Sequence, residues 1–177
     1  MPTPILDQSM EEKIDKAITF CQTQLNKFFL SLEEFYGKEK ANEMSHFILQ
    51  NTYFAGGVFR SIFTDTPIND IDIFFRSEEA VVEFKDTFLK EESIFRDENI
   101  TSNDTFIHKF SKGQAYLAFV TRTVGSPIEV LNNFDFSFNK HYYSIQDGSF
   151  SFDLDTFNKV GVLLNYRDTP VNCLYRS

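Results

Sequence analysis

The sequence has few features that would place it outside the globular, soluble classes. It contains no tryptophan and only two cysteines, Cys21 and Cys173, neither of which has a metal-ligand companion nearby. Both are predicted to be reduced thiols. No apolar run approaches the roughly 20 residues that a membrane-spanning helix needs. The first residues, MPTPILDQS, show neither a basic segment nor an apolar signal core, so we expect an intracellular protein that does not contact a membrane.

Basic residues are also scarce. The chain has 17 Lys and Arg against 26 Asp and Glu, which gives a formal net charge of -9. A protein that binds long nucleic acids through their phosphates usually has the opposite balance. The composition therefore argues against a long nucleic acid acceptor. It remains compatible with a nucleotide held through a divalent cation, because the metal supplies the positive charge.

Aromatic residues, in contrast, are abundant, with 22 Phe and 7 Tyr among 177 residues. Many of them recur at helical or strand spacing, which favours packing in a core over base stacking. The length is that of one structural domain. We predict an N-terminal helical segment over residues 1–50 that packs on a core formed by residues 51–177.

Two helices are predicted in the N-terminal segment. Apolar residues, Cys21 among them, recur every three or four positions from about Ser9 to Tyr36, and Gly37 is predicted to end this helix. A second helix is predicted from Lys38 to Gln50. We expect this pair to support the strand that follows, or alternatively to form a surface for a partner.

The most informative stretch is Tyr53 to Phe75, YFAGGVFRSIFTDTPINDIDIFF. A short apolar lead reaches Gly56-Gly57, and apolar residues then resume at helical spacing until Pro67, which is predicted to end the helix. The pattern predicts a strand, a glycine turn and a helix. Two glycines allow the backbone to approach a ligand closely, and the start of a helix suits a phosphate.

A strand is predicted next, over Asp70-Ile71-Asp72-Ile73-Phe74-Phe75. Side chains alternate along a strand, so Asp70 and Asp72 share one face, about 7 Å apart. Two such carboxylates repel each other and would be costly to hold near apolar neighbours without a cation. Carboxylate oxygens suit Mg²⁺ or Mn²⁺, which can also bind the phosphate oxygens of a substrate.

Taken in order, the glycine pair, the helix with Arg60 and the Asp70-x-Asp72 strand resemble the core motif of the DNA polymerase beta type nucleotidyltransferase superfamily. Twelve residues, 58–69, separate the second glycine from the first aspartate. The forms GGVFRS, NDIDIFF and FDFS most resemble small nucleotidyltransferase-like proteins of tailed bacteriophages, which are similar to the head of CCA-adding enzymes and poly(A) polymerases. CCA-type members usually carry Asp after the arginine. This chain has Ser61, which argues against tRNA end repair.

The resemblance implies an α+β fold with a small mixed or antiparallel sheet flanked by helices, here with an N-terminal helical pair. It also implies metal-dependent transfer of a nucleoside monophosphate from an NTP such as ATP to an acceptor hydroxyl on RNA, a protein or a small molecule. Asp70, Asp72 and Asp135 would be catalytic and would bind Mg²⁺ or Mn²⁺. Similar phage proteins continue with a basic stretch beyond a segment like Leu174-Tyr175-Arg176, so an acceptor-binding part is expected to be missing here.

In the same resemblance Gly56 and Gly57 would hold the phosphates, and Arg60 would either offset charge developing on them or form a structural salt bridge. An alternative is a catalytically inactive phage protein. Such a protein would act as a virion component, bind a protein partner or sequester a nucleotide. A phage-encoded protein would act in the host cytoplasm or in the virion.

Two residues are candidates for the third carboxylate. Glu129 fits by pattern, but Ser126-Pro127-Ile128-Glu129 is a capping box that is typical of a helix start and explains this glutamate without a metal. That helix is predicted to continue through Val130 and Leu131 to Phe134. Asp135, in FDFS, alternates with phenylalanines as a strand residue does. We favour Asp135, although either residue can be an ordinary surface acid.

The remaining segments extend the predicted sheet. Ser77 is predicted to cap a helix that buries Val81, Val82, Phe84, Phe88 and Leu89. A loop is predicted over Glu91–Thr105, with or without a short strand at Ile94-Phe95, and strands are predicted over Phe106–Phe110 and Ala115–Thr121. A further strand is predicted to run on through His141–Ile145, with a hairpin turn at Asp147-Gly148 into Ser149–Phe152. A last helix is predicted from Asp153 or Asp155 to Asn165.

Overall fold

The computed structural model describes residues 8–68, 70–89, 94–96, 107–111, 116–133 and 140–151. The described elements are α1 (Gln8–Tyr36), α2 (Lys38–Asn51), β1 (Thr52–Ala55), α3 (Gly57–Phe63), β2 (Asp70–Phe75), α4 (Glu78–Phe88), a 3₁₀ turn (Ile94–Arg96), β3 (Ile107–Ser111), β4 (Tyr116–Val124), α5 (Pro127–Leu131), β5 (Tyr142–Tyr143) and β6 (Phe150–Ser151).

The six strands form one mixed sheet in the order β3-β4-β2-β1-β5-β6. β2 runs parallel to β4, and the other neighbouring strands pair antiparallel. The predicted α+β class, with a small mixed sheet, flanking helices and an N-terminal helical pair, is therefore confirmed. Within the described residues, no helix is long and apolar enough to cross a membrane.

The N-terminal helices begin and end within one residue of their predicted bounds. Gly37 separates them with a φ of 90°, a backbone conformation that residues other than glycine rarely adopt. Cys21, predicted to lie on the apolar stripe of α1, is fully buried. Lys13 donates a hydrogen bond to the Phe63 carbonyl, which joins α1 to the end of α3.

One face of the sheet carries the main core. Ile71, Ile73 and Phe75 of β2 point into it, together with buried residues of α1 and α2. The ring of Phe28 in α1 lies at its centre. Its centroid is 5.0–6.4 Å from those of four phenylalanines outside α1, Phe88, Phe95, Phe110 and Phe119. The prediction that phenylalanine serves mainly as core is confirmed for these residues.

The opposite face of the sheet carries Asp70, Asp72 and Phe74. Toward the end of β2, α5 covers this face and forms a second, smaller core, whose buried members are Tyr53, Ala55, Phe74, Val130 and Leu131. The two aspartates lie at the start of β2. Asp70 and Asp72 are therefore on the same face of the sheet as the small core but lie outside it.

Three local predictions are wrong. Val82 is 58% exposed, because α4 buries one stripe through Ala80, Val81, Phe84 and Phe88, and Val82 turns away from it. Ile94-Phe95 forms a buried 3₁₀ turn rather than a strand. α3 ends at Phe63, four residues before Pro67, where the backbone N–H and the hydroxyl of Thr64 both donate to the Arg60 carbonyl.

Two further predictions are corrected near the end of the described chain. The helix that begins after Ser126 ends at Leu131, and Phe134 lies outside the described residues. β5 stops at Tyr143, so Ile145 belongs to the turn and not to the strand. The hairpin itself is confirmed, because β5 and β6 pair antiparallel across a turn containing Gly148, whose φ is 68°. The predicted last helix falls outside the described residues.

Candidate functional site

The glycine turn and the acidic strand meet in the structure. Gly56 precedes α3 with a φ of 99° and ψ of -149°, and its N–H donates to the His141 carbonyl at 3.2 Å. A Cβ atom at Gly56 would lie 3.4 Å from Oδ2 of Asp72. The two most specific parts of the sequence pattern, 16 positions apart in the chain, are thus neighbours, and a side chain at Gly56 would contact the Asp72 carboxylate.

The strand register places four residues in one row across the sheet, next to Gly56. Asp72 of β2 lies opposite Ala118 of β4, and Ala118 lies opposite Lys109 of β3. Extending the β1–β2 register by one residue places Ala55 on the other side of Asp72. Residues directly opposite one another share a face of the sheet. Asp72 and Lys109 are therefore on the same face of the sheet. The other two residues of the row, Ala55 and Ala118, have only methyl side chains.

A lysine is part of the site, and sequence reasoning missed it. Nζ of Lys109 is 3.2 Å from Oδ2 of Asp70, and the two side chains are 28% and 40% exposed. The alternation of β3 shows which residues share a face with Lys109. It does not show that β3 follows β4, which follows β2, and that order is what brings the lysine to the aspartates.

The surroundings of Asp72 disfavour the ionised form of its carboxyl group. Its burial raises the pKa of the carboxyl to about 6, and the charge of Asp70 acts in the same direction, whereas Lys109 opposes the change. An ionised Asp72 is therefore unfavourable in the ligand-free site. A cation placed at this carboxylate would relieve both causes of the shift.

The residues present fit a hard divalent cation in part. Asp70 and Asp72 offer carboxylate oxygens from one face of a strand, which is the chemistry that Mg²⁺ and Mn²⁺ prefer. Among the described residues, no group of three or more His, Cys, Asp or Glu side chains is placed to hold a metal ion. The pair can therefore supply two ligands, with the rest coming from phosphate oxygens and water.

Glu129 has the capping role that its sequence suggested. The Ser126 N–H donates to Oε1 of Glu129 at 3.3 Å, and the Glu129 N–H donates to Oγ of Ser126 at 3.4 Å. Asp135, the favoured third carboxylate, lies outside the described residues. Opposite Asp70 and Asp72, β4 carries Tyr116 and Ala118, neither of which is acidic.

Arg60 lies in the last turn of α3 and is half-buried, and burial lowers the pKa of its guanidinium. Ser61, at the position where CCA-type enzymes usually have aspartate, is buried. Its carbonyl accepts a hydrogen bond from the Thr66 N–H at 2.9 Å. The nucleotide-binding role of Arg60 stays a prediction.

Residues 15–161 match the family model for the Gabija anti-defense 2 family. The chain belongs to the Gabija anti-defense 2 family. Among curated proteins, none matches this family member in sequence.

Several solved structures are similar to this Gabija anti-defense 2 family protein at low identity. A tRNA-processing enzyme in an apo form is 20% identical, with a TM-score of 0.46, over 76% of this chain and 39% of that one. The CCA-adding enzyme of Bacillus stearothermophilus in complex with CTP is 18% identical, with a TM-score of 0.45, over 78% and 38%. A tRNA nucleotidyltransferase complexed with a primer tRNA and an incoming ATP analog is 20% identical, with a TM-score of 0.41, over 63% and 35%. The chain spans less than two fifths of the length of these enzymes.

Proposed function

We propose that this family member binds a nucleoside triphosphate together with Mg²⁺ or Mn²⁺ at Asp70 and Asp72, and transfers the nucleoside monophosphate to an acceptor hydroxyl. The observation that supports this proposal is the position of the Asp72 carboxylate beside Gly56, with Oδ2 only 3.4 Å from the point where a Cβ atom of residue 56 would lie. A turn without side chains beside a pair of aspartates offers phosphates a close approach to the place where a cation is held.

Each residue has a distinct role in this proposal. Gly56 and Gly57 give the triphosphate room at the backbone, and Arg60 offsets negative charge that develops on it. Asp70 and Asp72 hold the divalent cation, which when bound would neutralise the phosphates and polarise the α-phosphate. Asp72 is half-buried and lies near the charge of Asp70, and a cation held by the pair would offset both of these costs of ionising Asp72.

Asp135 would complete the reaction. It would orient the acceptor hydroxyl and accept its proton while the acceptor oxygen attacks the α-phosphorus in line. A bond forms between that oxygen and phosphorus, and the bond from phosphorus to the bridging oxygen of pyrophosphate breaks. The net charge of -9 favours a protein or small-molecule acceptor over a long nucleic acid. The family suggests that the acceptor belongs to the Gabija defence, which the reaction would disable.

A second candidate function is binding of a nucleotide without transfer. Two observations favour it: the positions of β4 opposite the two aspartates carry no acid, and Lys109 pairs with Asp70. A site of this kind would hold a metal–nucleotide complex and lack a base for the acceptor. The protein would then counter the defence by sequestering a nucleotide.

Thermal unfolding with each NTP, with and without Mn²⁺, tests the proposal on wild type, Asp72→Asn and the exposed control Asp86→Asn. A ligand at about 100 times its dissociation constant adds about 2.7 kcal/mol of stability, which is a shift of several degrees for a domain of this size. We expect a metal-dependent shift in wild type and in the control, and its loss in Asp72→Asn. If no NTP shifts the unfolding temperature of wild type, with or without Mn²⁺, the proposal of a nucleotide site is wrong.

Release of pyrophosphate then separates the two functions. The Gabija proteins are added as acceptor to the NTP that stabilises the protein, with Asp135→Asn for comparison. Pyrophosphate release that Asp135→Asn abolishes supports transfer. Binding without release supports sequestration.

A further inference from the structure

Lys109 places a positive charge beside Asp70, one of the two carboxylates proposed to bind a divalent cation. Its ammonium group is 3.2 Å from Asp70, and its backbone lies two strands from Asp72 in the same cross-strand row. Neighbouring strands are about 4.8 Å apart, so the two residues stand roughly 10 Å apart at the backbone. The residue between them, Ala118, has only a methyl group, which leaves space above the sheet for the lysine stem.

The lysine and a divalent cation cannot both use Asp70 at low cost. In the metal-free site the ammonium group offsets part of the charge of the aspartate pair. A divalent cation at the same carboxylate would stand within a few ångströms of the ammonium, and the two positive charges would repel each other. The pair of aspartates with Lys109 beside it is therefore a weak site for a metal ion alone.

A triphosphate reverses this balance. It arrives with several negative charges and gives the displaced ammonium group a new hydrogen-bond acceptor. The lysine is partly exposed, so its head can leave Asp70 without unfolding the strand. The same side chain thus opposes the metal alone and supports the metal when a nucleotide accompanies it.

We propose that Lys109 couples metal binding to nucleotide binding, so that the site is filled by the metal–nucleotide complex and not by free metal. This inference rests on the proposed function, since it assumes that Asp70 and Asp72 hold a cation. Coupling of this kind is reciprocal: the nucleotide must raise the affinity for the metal by the same factor as the metal raises that for the nucleotide.

Mn²⁺ titrations followed by electron paramagnetic resonance test this coupling, without nucleotide and with a saturating amount of the NTP that stabilises the protein most. The variants are Lys109→Met, which keeps the stem and removes the charge, Lys109→Arg, which keeps the charge, and Lys85→Met, a control on the exposed surface of α4. In Lys109→Met we expect free Mn²⁺ to bind about fivefold tighter and the Mn²⁺–NTP complex about fivefold weaker. Lys109→Arg and Lys85→Met should resemble wild type.

The other outcomes overturn the inference in distinguishable ways. If wild type binds the Mn²⁺–NTP complex, and Lys109→Met binds free Mn²⁺ and the Mn²⁺–NTP complex each with the affinity of wild type, then Lys109 has no coupling role and the proposed function stands. If Lys109→Met loses both forms, the lysine merely orders the aspartates. If wild type binds neither form, the proposed function fails together with the inference.

Discussion

At the scale of single residues, Asp72 is the side chain that a bound cation would stabilise most directly, because its surroundings disfavour the ionised carboxylate. Its pKa is about 6 in the folded protein because of burial and the nearby charge of Asp70, and near 4 in an unfolded chain. The folded state therefore holds this proton more tightly. Its contribution to stability is fully present below about pH 4 and is lost as the pH rises through about 6.

This shift predicts a pH-dependent difference between wild type and Asp72→Asn in the presence of a chelator. The amide carries no charge at any pH, so the variant escapes the cost of an ionised Asp72. We expect it to gain about 1–2 kcal/mol relative to wild type between pH 4 and pH 7, allowing for solvent screening. Urea unfolding at several pH values measures the difference.

Asp86→Asn, on the exposed surface of α4, is the control and should follow wild type at every pH. With Mn²⁺ and a bound nucleotide at pH 8 the order should reverse, because only wild type can then use the cation. Curves for wild type and Asp72→Asn that stay parallel from pH 4 to pH 8 would show that Asp72 is ionised at no cost in the folded state.

At the scale of elements, the cap of α5 offers a test between Glu129 and Asp135, the two candidates for the third carboxylate. Glu129 closes the capping box with Ser126, and a glutamine can make the same hydrogen bond to the N–H of the capping residue. We expect Glu129→Gln to unfold within about 0.5 kcal/mol of wild type and to keep metal-dependent nucleotide binding. Ser126→Ala should cost about 1 kcal/mol, because it leaves a helix N–H without its acceptor.

The comparison with Asp135→Asn completes this test. If Asp135 belongs to the site, its amide variant loses nucleotide transfer while Glu129→Gln retains it. The reverse result, with transfer lost in Glu129→Gln at unchanged stability, would move the third carboxylate to α5. Pyrophosphate release measured on both variants decides between them.

The elements that sequence alone predicted are those with local signals. The cap at Ser77, the capping box at Ser126 and the alternation of Asp70–Phe75 each depend on neighbours within a few residues, and the structure confirms them. The resemblance assigned the glycine pair and the two aspartates to one nucleotide site, and the structure places Gly56 beside Asp72. Lys109 was not found, because its pairing with Asp70 depends on the order of three strands, which no local pattern encodes.

At the scale of the whole molecule, the N-terminal helices and the sheet share one core. Phe28 of α1 contacts Phe110 and Phe119 from the sheet and Phe88 from α4, and Gln22 donates a hydrogen bond to the Tyr143 hydroxyl at 3.0 Å. Contacts of this range do not fit a helical segment that folds apart from residues 51–177. We therefore expect the chain to unfold in a single cooperative transition.

Phe28→Ala tests this expectation. Removing a fully buried ring that packs against both parts of the protein should cost about 3–5 kcal/mol. Phe35→Ala is the matched control, since it removes the same side chain from the same helix at a position that is 42% exposed, and it should cost less than about 1 kcal/mol. Urea unfolding is followed by far-ultraviolet circular dichroism, which reports mainly the helices, and by tyrosine fluorescence.

Agreement between the two probes is the decisive point. Tyrosine is a usable reporter because the chain has no tryptophan, and Tyr53, Tyr142 and Tyr143 lie in the sheet. In a single cooperative unit, Phe28→Ala moves both transitions to lower urea by the same amount. If α1 and α2 formed a separate unit, the helical signal would move, and the tyrosine signal would stay in place except for the part contributed by Tyr36 at the end of α1. The site on β2 would then rest on the sheet without support from the helices.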